Sequence, residues 1–316
     1  MRYKQFGNTH MQVSALTIGT WVIGGADWGD VDKKDCIKAI HAMMDHGVNM
    51  IDTAPVYNAG ESERVVGEAL KGRRENMYVV TKTCVFSTPD GGAMKDGRRQ
   101  TFFDLCDASL KNLQTDYIDL MLIHWPDTQY HTPIEETMTA LEDLKKMGKI
   151  RHIGVSNFTQ AEIEAAKQFG EVCALEPPYS MVNRGAEREM IWAHQNGLAN
   201  MTYGSLGAGI LTGAIRKLPN FDPGDMRLQF YDFFREPKFS KCMRVVEAVD
   251  EIAQDRGVPV AQVAINWSTQ KDYVTTALCG VRNVHEADEN CAGMDWTLTE
   301  EEIAQLDQRI AELEAV

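Results

Sequence analysis

The segment Asn49-Met-Ile-Asp-Thr-Ala-Pro-Val-Tyr57 decides how the rest of the chain is interpreted. The apolar run that enters it stops at Asp52, and Pro55 prevents the segment from continuing as a strand or helix. Tyr57 follows in a loop rich in Gly, Asn and Ser. A short buried strand that ends in a carboxylate, before a loop that carries a phenol, is how a β/α scaffold presents acid–base groups. Alone, the segment also fits a helix-capping aspartate and a surface tyrosine.

The same arrangement recurs along the chain. After an N-terminal β-hairpin that turns at Gly7-Asn8, apolar runs alternate with helical patterns. The predicted strands cover residues 16–21, 48–51, 77–81, 118–123, 149–155, 172–175, 199–203 and 274–278. Alternating strands and helices predict a parallel sheet with right-handed crossovers, and eight evenly spread units favour closure into a barrel.

The predicted fold is therefore α/β, a (β/α)8 TIM barrel with an N-terminal β-hairpin and a C-terminal helix. The capping box Thr299-Glu-Glu-Glu302 begins that amphipathic last helix. No linker-like stretch divides the chain, so residues 1–316 are predicted to form a single domain.

Composition excludes several classes of protein. The net charge is −14 and no basic cluster is present, which argues against nucleic acid and anionic membranes as partners. No apolar run approaches ~18 residues and no signal-peptide pattern is seen, so no membrane span is expected. The seven cysteines form no C-x-x-C pair, which predicts a reducing, cytoplasmic location without disulfides. No His/Cys/Asp spacing indicates a metal.

Each predicted strand ends in, or is followed by, a residue suited to a functional site. These residues are Thr20, Asp52, Lys82, His124, Asn157, Glu176, Tyr203 and Arg282. The carboxyl ends of all strands in a parallel barrel share one rim, where the active sites of this fold lie. Each residue alone has a structural explanation, but the conjunction of Asp, Lys, His and a loop Tyr favours an enzyme.

These residues also carry a family resemblance. The chain resembles the aldo-keto reductases, and especially the bacterial branch that includes general stress and inositol-linked reductases. The resemblance runs in order over about residues 1 to 310, through residues 49–57, 79–82, 122–126, 150–158, 203–213, 280–282 and 289–290. As a set these motifs are highly specific.

The resemblance implies a catalytic role for four residues. Tyr57 is the implied general acid/base that protonates a carbonyl oxygen during hydride delivery. Since a free phenol has a pKa near ~10, Lys82 is expected to lower the pKa of Tyr57, and Asp52 to keep Lys82 charged. His124 is expected to hydrogen-bond the substrate oxygen.

A bound cofactor must supply the hydride, because none of these side chains can. The sequence has no G-x-G-x-x-G after a strand, so a Rossmann site is not expected. The resemblance instead implies NADP(H) bound on the barrel, with NAD(H) possible. The implied cofactor-binding residues are Gly19, Thr20, Trp21, Ser156, Asn157, Glu176, Tyr203, Gly204, Ser205, Leu206, Gly207, Gly209, Arg227, Gly280, Val281, Arg282, Glu286, Glu289 and Asn290.

Within this set, the resemblance gives particular residues particular parts of the cofactor. Ser156 and Asn157 match residues that hold the nicotinamide carboxamide, and Tyr203 matches the aromatic that stacks on its ring. The loop 204–209 matches the one whose backbone approaches the pyrophosphate. Arg227 matches an arginine near the phosphates, Arg282 a basic residue near the adenosine 2′-phosphate, and Asn290 an adenine contact.

The chain departs from the family pattern at three positions. Glu176 stands where a glutamine is usual, Ala214 where a lysine is common, and Glu286 where a glutamine or arginine is common. The last two lower the positive charge around the phosphates. Arg282 nonetheless favours NADP(H), because a fork of donors suits a phosphate.

Aromatic residues are predicted to line the substrate pocket. The proposed lining is Trp21, Val56 and Trp125, together with Trp28, Phe86 and the loop around Tyr231, Phe233 and Phe234. Such walls fit a neutral aldehyde, ketone, sugar or polyol.

The sequence thus predicts an NADP(H)-dependent oxidoreductase that interconverts a carbonyl and an alcohol. Three alternatives are a sugar or polyol dehydrogenase, a cofactor-sensing regulatory subunit like the potassium-channel β-subunits, and a metal-dependent barrel hydrolase, which would need ligand clusters. The substrate, the reaction direction and the oligomeric state stay open.

Overall fold

The computed structural model describes residues 1–23, 31–221, 225 and 227–314. Its strands are β1 (Tyr3–Gln5), β2 (Gln12–Ser14), β3 (Leu16–Gly19), β4 (Met50–Asp52), β5 (Tyr78–Thr83), β6 (Val85–Ser87), β7 (Ala93–Lys95), β8 (Ile118–Ile123), β9 (Ile150–Ser156), β10 (Ala174–Glu176), β11 (Ala199–Thr202) and β12 (Thr276–Gly280).

Helices follow the strands along the chain. They are α1 (Lys33–Asp45), α2 (Glu61–Ala69), α3 (Arg99–Leu113), α4 (Ile134–Lys146), α5 (Gln160–Ala166), α6 (Glu187–Gln195), α7 (Arg227–Phe230), α8 (Lys238–Arg256), α9 (Val260–Thr269), α10 (Val284–Ala292) and α11 (Glu300–Glu314). Of the helices within the described ranges, none is long and apolar enough to cross a membrane.

Eight of the strands close into a parallel barrel. Their order is β3-β4-β5-β8-β9-β10-β11-β12, and β12 pairs with β3 to complete the ring. The predicted (β/α)8 barrel is therefore confirmed, together with the N-terminal hairpin of β1 and β2 and the C-terminal helix α11. The barrel strands are buried almost throughout, as expected where helices cover one face and the barrel interior the other.

The N-terminal hairpin covers the amino-terminal end of the barrel. Phe6 is fully buried and packs inside the barrel with Met50, Val80 and Leu120. Gly7 has a φ of +52°, and a Cβ there would lie 2.8 Å from the Ala199 nitrogen. This close approach requires glycine. One end of the barrel is thus filled, and the carboxyl end is the one left for a site.

The sequence prediction was wrong in two details. Lys82 was placed after its strand, but it lies inside β5 with a fully buried side chain. The hairpin of β6 and β7 was not predicted. Its turn, Thr88-Pro-Asp-Gly-Gly92, carries the Pro-Asp-Gly signal of a tight turn, which could have revealed it.

Candidate active site

Four sequence-distant side chains meet at the carboxyl end of the barrel. Asp52 ends β4, Lys82 lies near the end of β5, His124 follows β8, and Tyr57 lies in the loop before α2. The Lys82 Nζ atom lies 2.5 Å from Asp52 Oδ1 and donates a 3.2 Å hydrogen bond to the Tyr57 hydroxyl group. The rings of Tyr57 and His124 meet edge to face, with centroids 5.8 Å apart. The predicted neighbours therefore lie on one mouth of the barrel.

Hydroxyl groups hold Asp52 and its loop in place. The Thr20 hydroxyl donates to the Asp52 backbone oxygen over 2.8 Å, and Ser62 donates to Thr20 Oγ1 over 2.7 Å. Lys82 also donates to the Thr53 carbonyl over 3.1 Å. Since all of these groups are buried, their hydrogen bonds fix the ion pair that faces Tyr57.

The protonation states of Tyr57 and Lys82 follow from their surroundings. Burial raises the pKa of Tyr57, and although Lys82 lowers this pKa, the net shift is upward. Lys82 therefore lowers the pKa of Tyr57, as the sequence analysis predicts, but burial raises this pKa by more. Burial lowers the pKa of Lys82, but Asp52, Glu176 and Tyr57 together raise it above its usual value. At neutral pH the pair is a phenol and an ammonium.

His124 is neutral. Burial, followed by the charges of Lys82 and Lys95, holds its pKa well below the usual value. Its buried Nδ1 atom has no hydrogen-bond partner in the part of the chain that the structure describes. A neutral imidazole at the mouth of the barrel suits hydrogen bonding to an uncharged oxygen.

A network of polar side chains crosses the next three strand ends. Asn157 donates to the His124 backbone oxygen and to Ser156 Oγ, each over 3.0 Å, and its Oδ1 accepts from the Tyr203 hydroxyl over 2.8 Å. Ser156 donates to the Glu176 backbone oxygen over 2.9 Å. Asn157 has a φ of +62°, a conformation that asparagine tolerates better than most residues. This network presents amide and hydroxyl groups beside the catalytic candidates.

A cavity of about 910 Å³ opens above these residues. Most predicted site residues line it: Gly19, Thr20, Trp21, Asp52, Val56, Tyr57, His124, Trp125, Ser156, Asn157, Glu176, Tyr203, Gly204, Ser205, Leu206, Gly209, Arg227, Gly280, Arg282, Glu286, Glu289 and Asn290. Lys82 lies beneath its floor. Gly207 and Val281 do not line it: Val281 is fully buried in the core, and a Cβ on Gly207 would lie 2.7 Å from Ile210.

The family is decided by comparison with known proteins. The model of the Aldo/keto reductase family matches residues 15–311. The chain belongs to the aldo/keto reductase family. The predicted resemblance is confirmed, and the protein is an enzyme of the oxidoreductase class.

Individual relatives of this aldo/keto reductase match it almost end to end. Aldo-keto reductase YhdN of Bacillus subtilis (strain 168) is 35% identical, over 96% of this chain and 91% of that protein. The NADH-specific methylglyoxal reductase of Escherichia coli (strain K12) is 32% identical, over 95% of each. The structure of glycerol dehydrogenase AKR11B4 from Gluconobacter oxydans superposes with a TM-score of 0.89 at 31% identity, over 98% of this chain and 95% of that chain.

In this aldo/keto reductase, the two arginines predicted near phosphates are both held by acids. Arg282 donates to Glu286 from its side chain over 2.8 Å, and its backbone N–H donates to the same carboxylate over 2.8 Å. Arg227 makes a bidentate pair with Asp225, at 2.6 and 2.9 Å. A phosphate at this end of the cavity would have to share these guanidinium groups with the carboxylates.

The outer wall of the reductase cavity contains residues that the sequence prediction missed. The β6–β7 hairpin contributes Val85, Ala93 and Lys95, and Lys95 lies 4.5 Å above the Trp125 ring. Phe230 in α7 meets Trp21 edge to face, with centroids 5.5 Å apart. The unpredicted hairpin explains the first omission. Phe230 directly precedes Tyr231 of the predicted lining loop but was not itself predicted.

Three of the predicted aromatic residues that the structure describes are not in the wall. Phe233 and Phe234 are buried in a second hydrophobic cluster with Phe239 and Val245. Phe86 is absent from the lining of the cavity, although Tyr231 is present. Trp28 lies outside the described residues.

A possible ligand cluster lies at the opposite end of the barrel. The side-chain ligand atoms of His152, Glu171 and Cys173 lie within 4.8 Å of one another. Glu171 already forms an ion pair with Lys145 and lies 3.3 Å from His152 Nδ1, within hydrogen-bonding distance. These contacts give the cluster a structural role next to the start of β10.

Proposed function

We propose that this aldo/keto reductase interconverts a carbonyl and an alcohol by hydride transfer from NADP(H), with Tyr57 as general acid and base. One observation carries the proposal: the Tyr57 hydroxyl accepts a 3.2 Å hydrogen bond from Lys82, which is itself held 2.5 Å from Asp52. When Tyr57 gives up its proton, the Lys82 ammonium group in this contact stabilises the resulting phenolate.

The chain's own residues then divide the work. In reduction, Tyr57 donates its proton to the carbonyl oxygen as that oxygen becomes negative. Lys82 stabilises the resulting phenolate, and neutral His124 donates a hydrogen bond that orients the oxygen. In oxidation, the same groups act in reverse, and Tyr57 accepts the proton. The apolar wall of Trp21, Val56 and Trp125 excludes water and fits an uncharged substrate.

The residues around the cavity fit a dinucleotide. The same cavity is lined by both Tyr57 and Asn290. Gly204 and Gly209, with φ of +67° and +99°, also line it and leave backbone approachable where side chains would intrude. Asn157 and Ser156 would hold the carboxamide, Tyr203 would stack on the ring, and the nicotinamide, when bound, supplies or accepts hydride.

Arg282 favours NADP(H), and the Glu286 carboxylate that binds it makes NAD(H) the second candidate. An arginine fork recognises a 2′-phosphate, whereas a carboxylate accepts hydrogen bonds from a ribose 2′-hydroxyl. The ion pair can thus serve either cofactor. The preference between NADP(H) and NAD(H) depends on how easily the Arg282–Glu286 ion pair breaks so that the guanidinium group can bind a phosphate.

Glu286→Gln is therefore expected to raise the preference for NADPH over NADH by roughly tenfold, because it frees the Arg282 fork from an anionic partner. Steady-state kcat/KM with each cofactor measures the ratio. Asp288→Asn is the matched control: it removes the same charge from the same helix, lies outside the lining of the cavity and leaves the Arg282–Glu286 pair intact. An equal effect of both variants would refute a specific role for the pair.

A substrate panel tests the proposed function as a whole. Purified full-length protein is assayed with aldehydes, ketones and sugars for oxidation of NADPH and NADH, and with polyols for the reverse reaction. Turnover of at least one carbonyl class is expected. A protein that binds the cofactor but turns over no substrate would contradict the proposal and favour a cofactor-sensing subunit.

We propose that residues 1–316 act as one domain on a small carbonyl, sugar or polyol substrate. Glycerol dehydrogenase among the structural relatives makes polyol oxidation the alternative direction. All seven cysteines are free and buried, which supports action in a reducing compartment such as the cytoplasm.

A further inference from the structure

Two buried carboxyl groups face a single ammonium at the floor of the cavity. Asp52 at the end of β4 and Glu176 at the end of β10 lie 2.5 and 3.6 Å from Lys82 Nζ. All three side chains are at most 3% exposed. Among the ion pairs of the described residues, neither carboxyl has a second cationic partner. With every group ionised, this buried cluster would carry one uncompensated negative charge, which is costly in a low-dielectric site.

The hydrogen bonds of the cluster are also incomplete. Asp52 Oδ2 and Glu176 Oε2 are buried, and neither accepts a hydrogen bond from the described residues. The two carboxyl groups lie within hydrogen-bonding reach of each other. Two carboxylates offer only acceptors, so one bound proton is needed to join them. That single proton would join the two carboxyl groups by a hydrogen bond and remove the excess charge.

We propose that Glu176 is a positioning residue, held as a neutral carboxylic acid whose O–H donates to Asp52, and that this proton keeps Lys82 directed at Tyr57. The inference rests on the proposed function of Tyr57 and Lys82. The proton belongs on Glu176 because Asp52 is the closer partner of Lys82 and is the better stabilised anion.

Loss of this proton has a defined effect on catalysis. An ionised Glu176 would compete with Asp52 and Tyr57 for the same ammonium. It would also place a second negative charge near the phenolate and the alkoxide that develop during reduction. Reduction would therefore slow as Glu176 ionises. A neutral carboxyl, by contrast, offers one donor and one acceptor, as the glutamine expected at this position would.

Of the described residues, the titratable groups that interact with Glu176 are Asp52, Lys82, Tyr57 and Tyr203. Burial and the nearby Asp52 raise the pKa of Glu176 to about 8. Burial raises the pKa of Tyr203 as well, so the Tyr203 phenol stays neutral over this range. Burial also raises the pKa of Asp52, so the two carboxyl groups share one proton over this range. The closer contact of Asp52 with Lys82 places that proton on Glu176, which then ionises in mildly alkaline solution.

The kinetic test compares two substitutions across the pH range. In wild-type enzyme, kcat for carbonyl reduction at saturating cofactor and substrate is expected to fall through mildly alkaline pH. Glu176→Gln keeps a neutral donor that cannot ionise, so the midpoint of the fall is expected to move up by at least about one pH unit. Glu176→Ala removes the donor and is expected to lower kcat at every pH. An unchanged midpoint in Glu176→Gln would overturn the inference.

An infrared titration tests the proton directly, without relying on turnover. The difference spectrum of the full-length enzyme between pH 6 and pH 9, with and without NADP⁺, is expected to show loss of a protonated carboxyl band. That band should be missing in Glu176→Gln. It should also be missing in Asp52→Asn, where Glu176 becomes the counter-ion of Lys82. A band that persists in Glu176→Gln would place the proton elsewhere and overturn the inference.

Different results would contradict the role of Tyr57 in catalysis and the role of Glu176 as a neutral acid. A fully active Tyr57→Phe enzyme would contradict the proposed function, while the infrared bands would still report the state of Glu176. An inactive Tyr57→Phe enzyme with identical spectra for wild type and Glu176→Gln would leave the function standing and remove the role of Glu176.

Discussion

Tyr57→Phe is expected to lower kcat for carbonyl reduction by roughly 10²–10⁴-fold, the usual contribution of a positioned general acid. The substitution removes the hydroxyl that accepts the 3.2 Å hydrogen bond from Lys82 and leaves the ring, which meets Trp21 and His124, in place. Cofactor affinity is therefore expected to change less than about threefold. Single-turnover kinetics measures the chemical step, and quenching of tryptophan fluorescence by NADPH measures binding.

Tyr78→Phe is the matched control for this experiment. Tyr78 begins β5, the strand that carries Lys82, but it lies at the other end of the strand. Its phenol hydroxyl is therefore far from the cavity, and its loss should not change kcat appreciably. A Tyr57→Phe enzyme that turns over as fast as Tyr78→Phe would contradict the assigned role of Tyr57.

Lys82→Met is expected to abolish turnover and also to destabilise the fold, by about 3–5 kcal/mol, the usual cost of removing one member of a buried ion pair. Lys82 is fully buried, and its loss would leave two buried carboxyl groups without their only cationic partner among the described residues. Urea denaturation measures the free energy of unfolding. The phenolate of Tyr57 would also lose its stabilising charge, so residual kcat should be at least about 10²-fold lower.

The double variant Asp52→Asn/Lys82→Met separates the two effects of this lysine. Replacing both charges removes the uncompensated carboxylate, so most of the lost stability is expected to return. Turnover should not return, because the chemical step still lacks the ammonium. Recovery of activity together with stability would show that Lys82 acts only through the fold.

The fold could be predicted because its signals are local. Each apolar run that ends at a polar residue marks a strand, and eight of them alternate with helical patterns. Residues such as Asp52 and Asn157 could be placed together because parallel strands end at one rim. The strands of the β6–β7 hairpin are three residues each, too short for a periodic pattern. Its prediction would have had to come from the Pro-Asp-Gly turn, as that of the N-terminal hairpin came from Gly7-Asn8.

The electrostatics of the site could not be predicted from the sequence. The sequence indicates that Lys82 is near Tyr57, but it does not give the burial that raises the pKa of Tyr57. It also does not show that Glu176 and Asp52 compete for one ammonium. Likewise, Glu286 was recognised as an unusual residue, but its bidentate contact with Arg282 depends on the geometry of the α10 amino terminus.

The pairing of β12 with β3 has a consequence for synthesis on the ribosome. The four residues proposed for catalysis are all made by residue 124, whereas β12 ends at Gly280. At 5–20 residues per second, the nascent chain spends roughly 8–30 s with its amino-terminal strands unable to complete a ring. Throughout that interval β3 presents an unpaired backbone edge to other chains, a recognised route to aggregation. Slower translation of residues 124–280, or a smaller supply of chaperones, is therefore expected to lower the yield of folded enzyme.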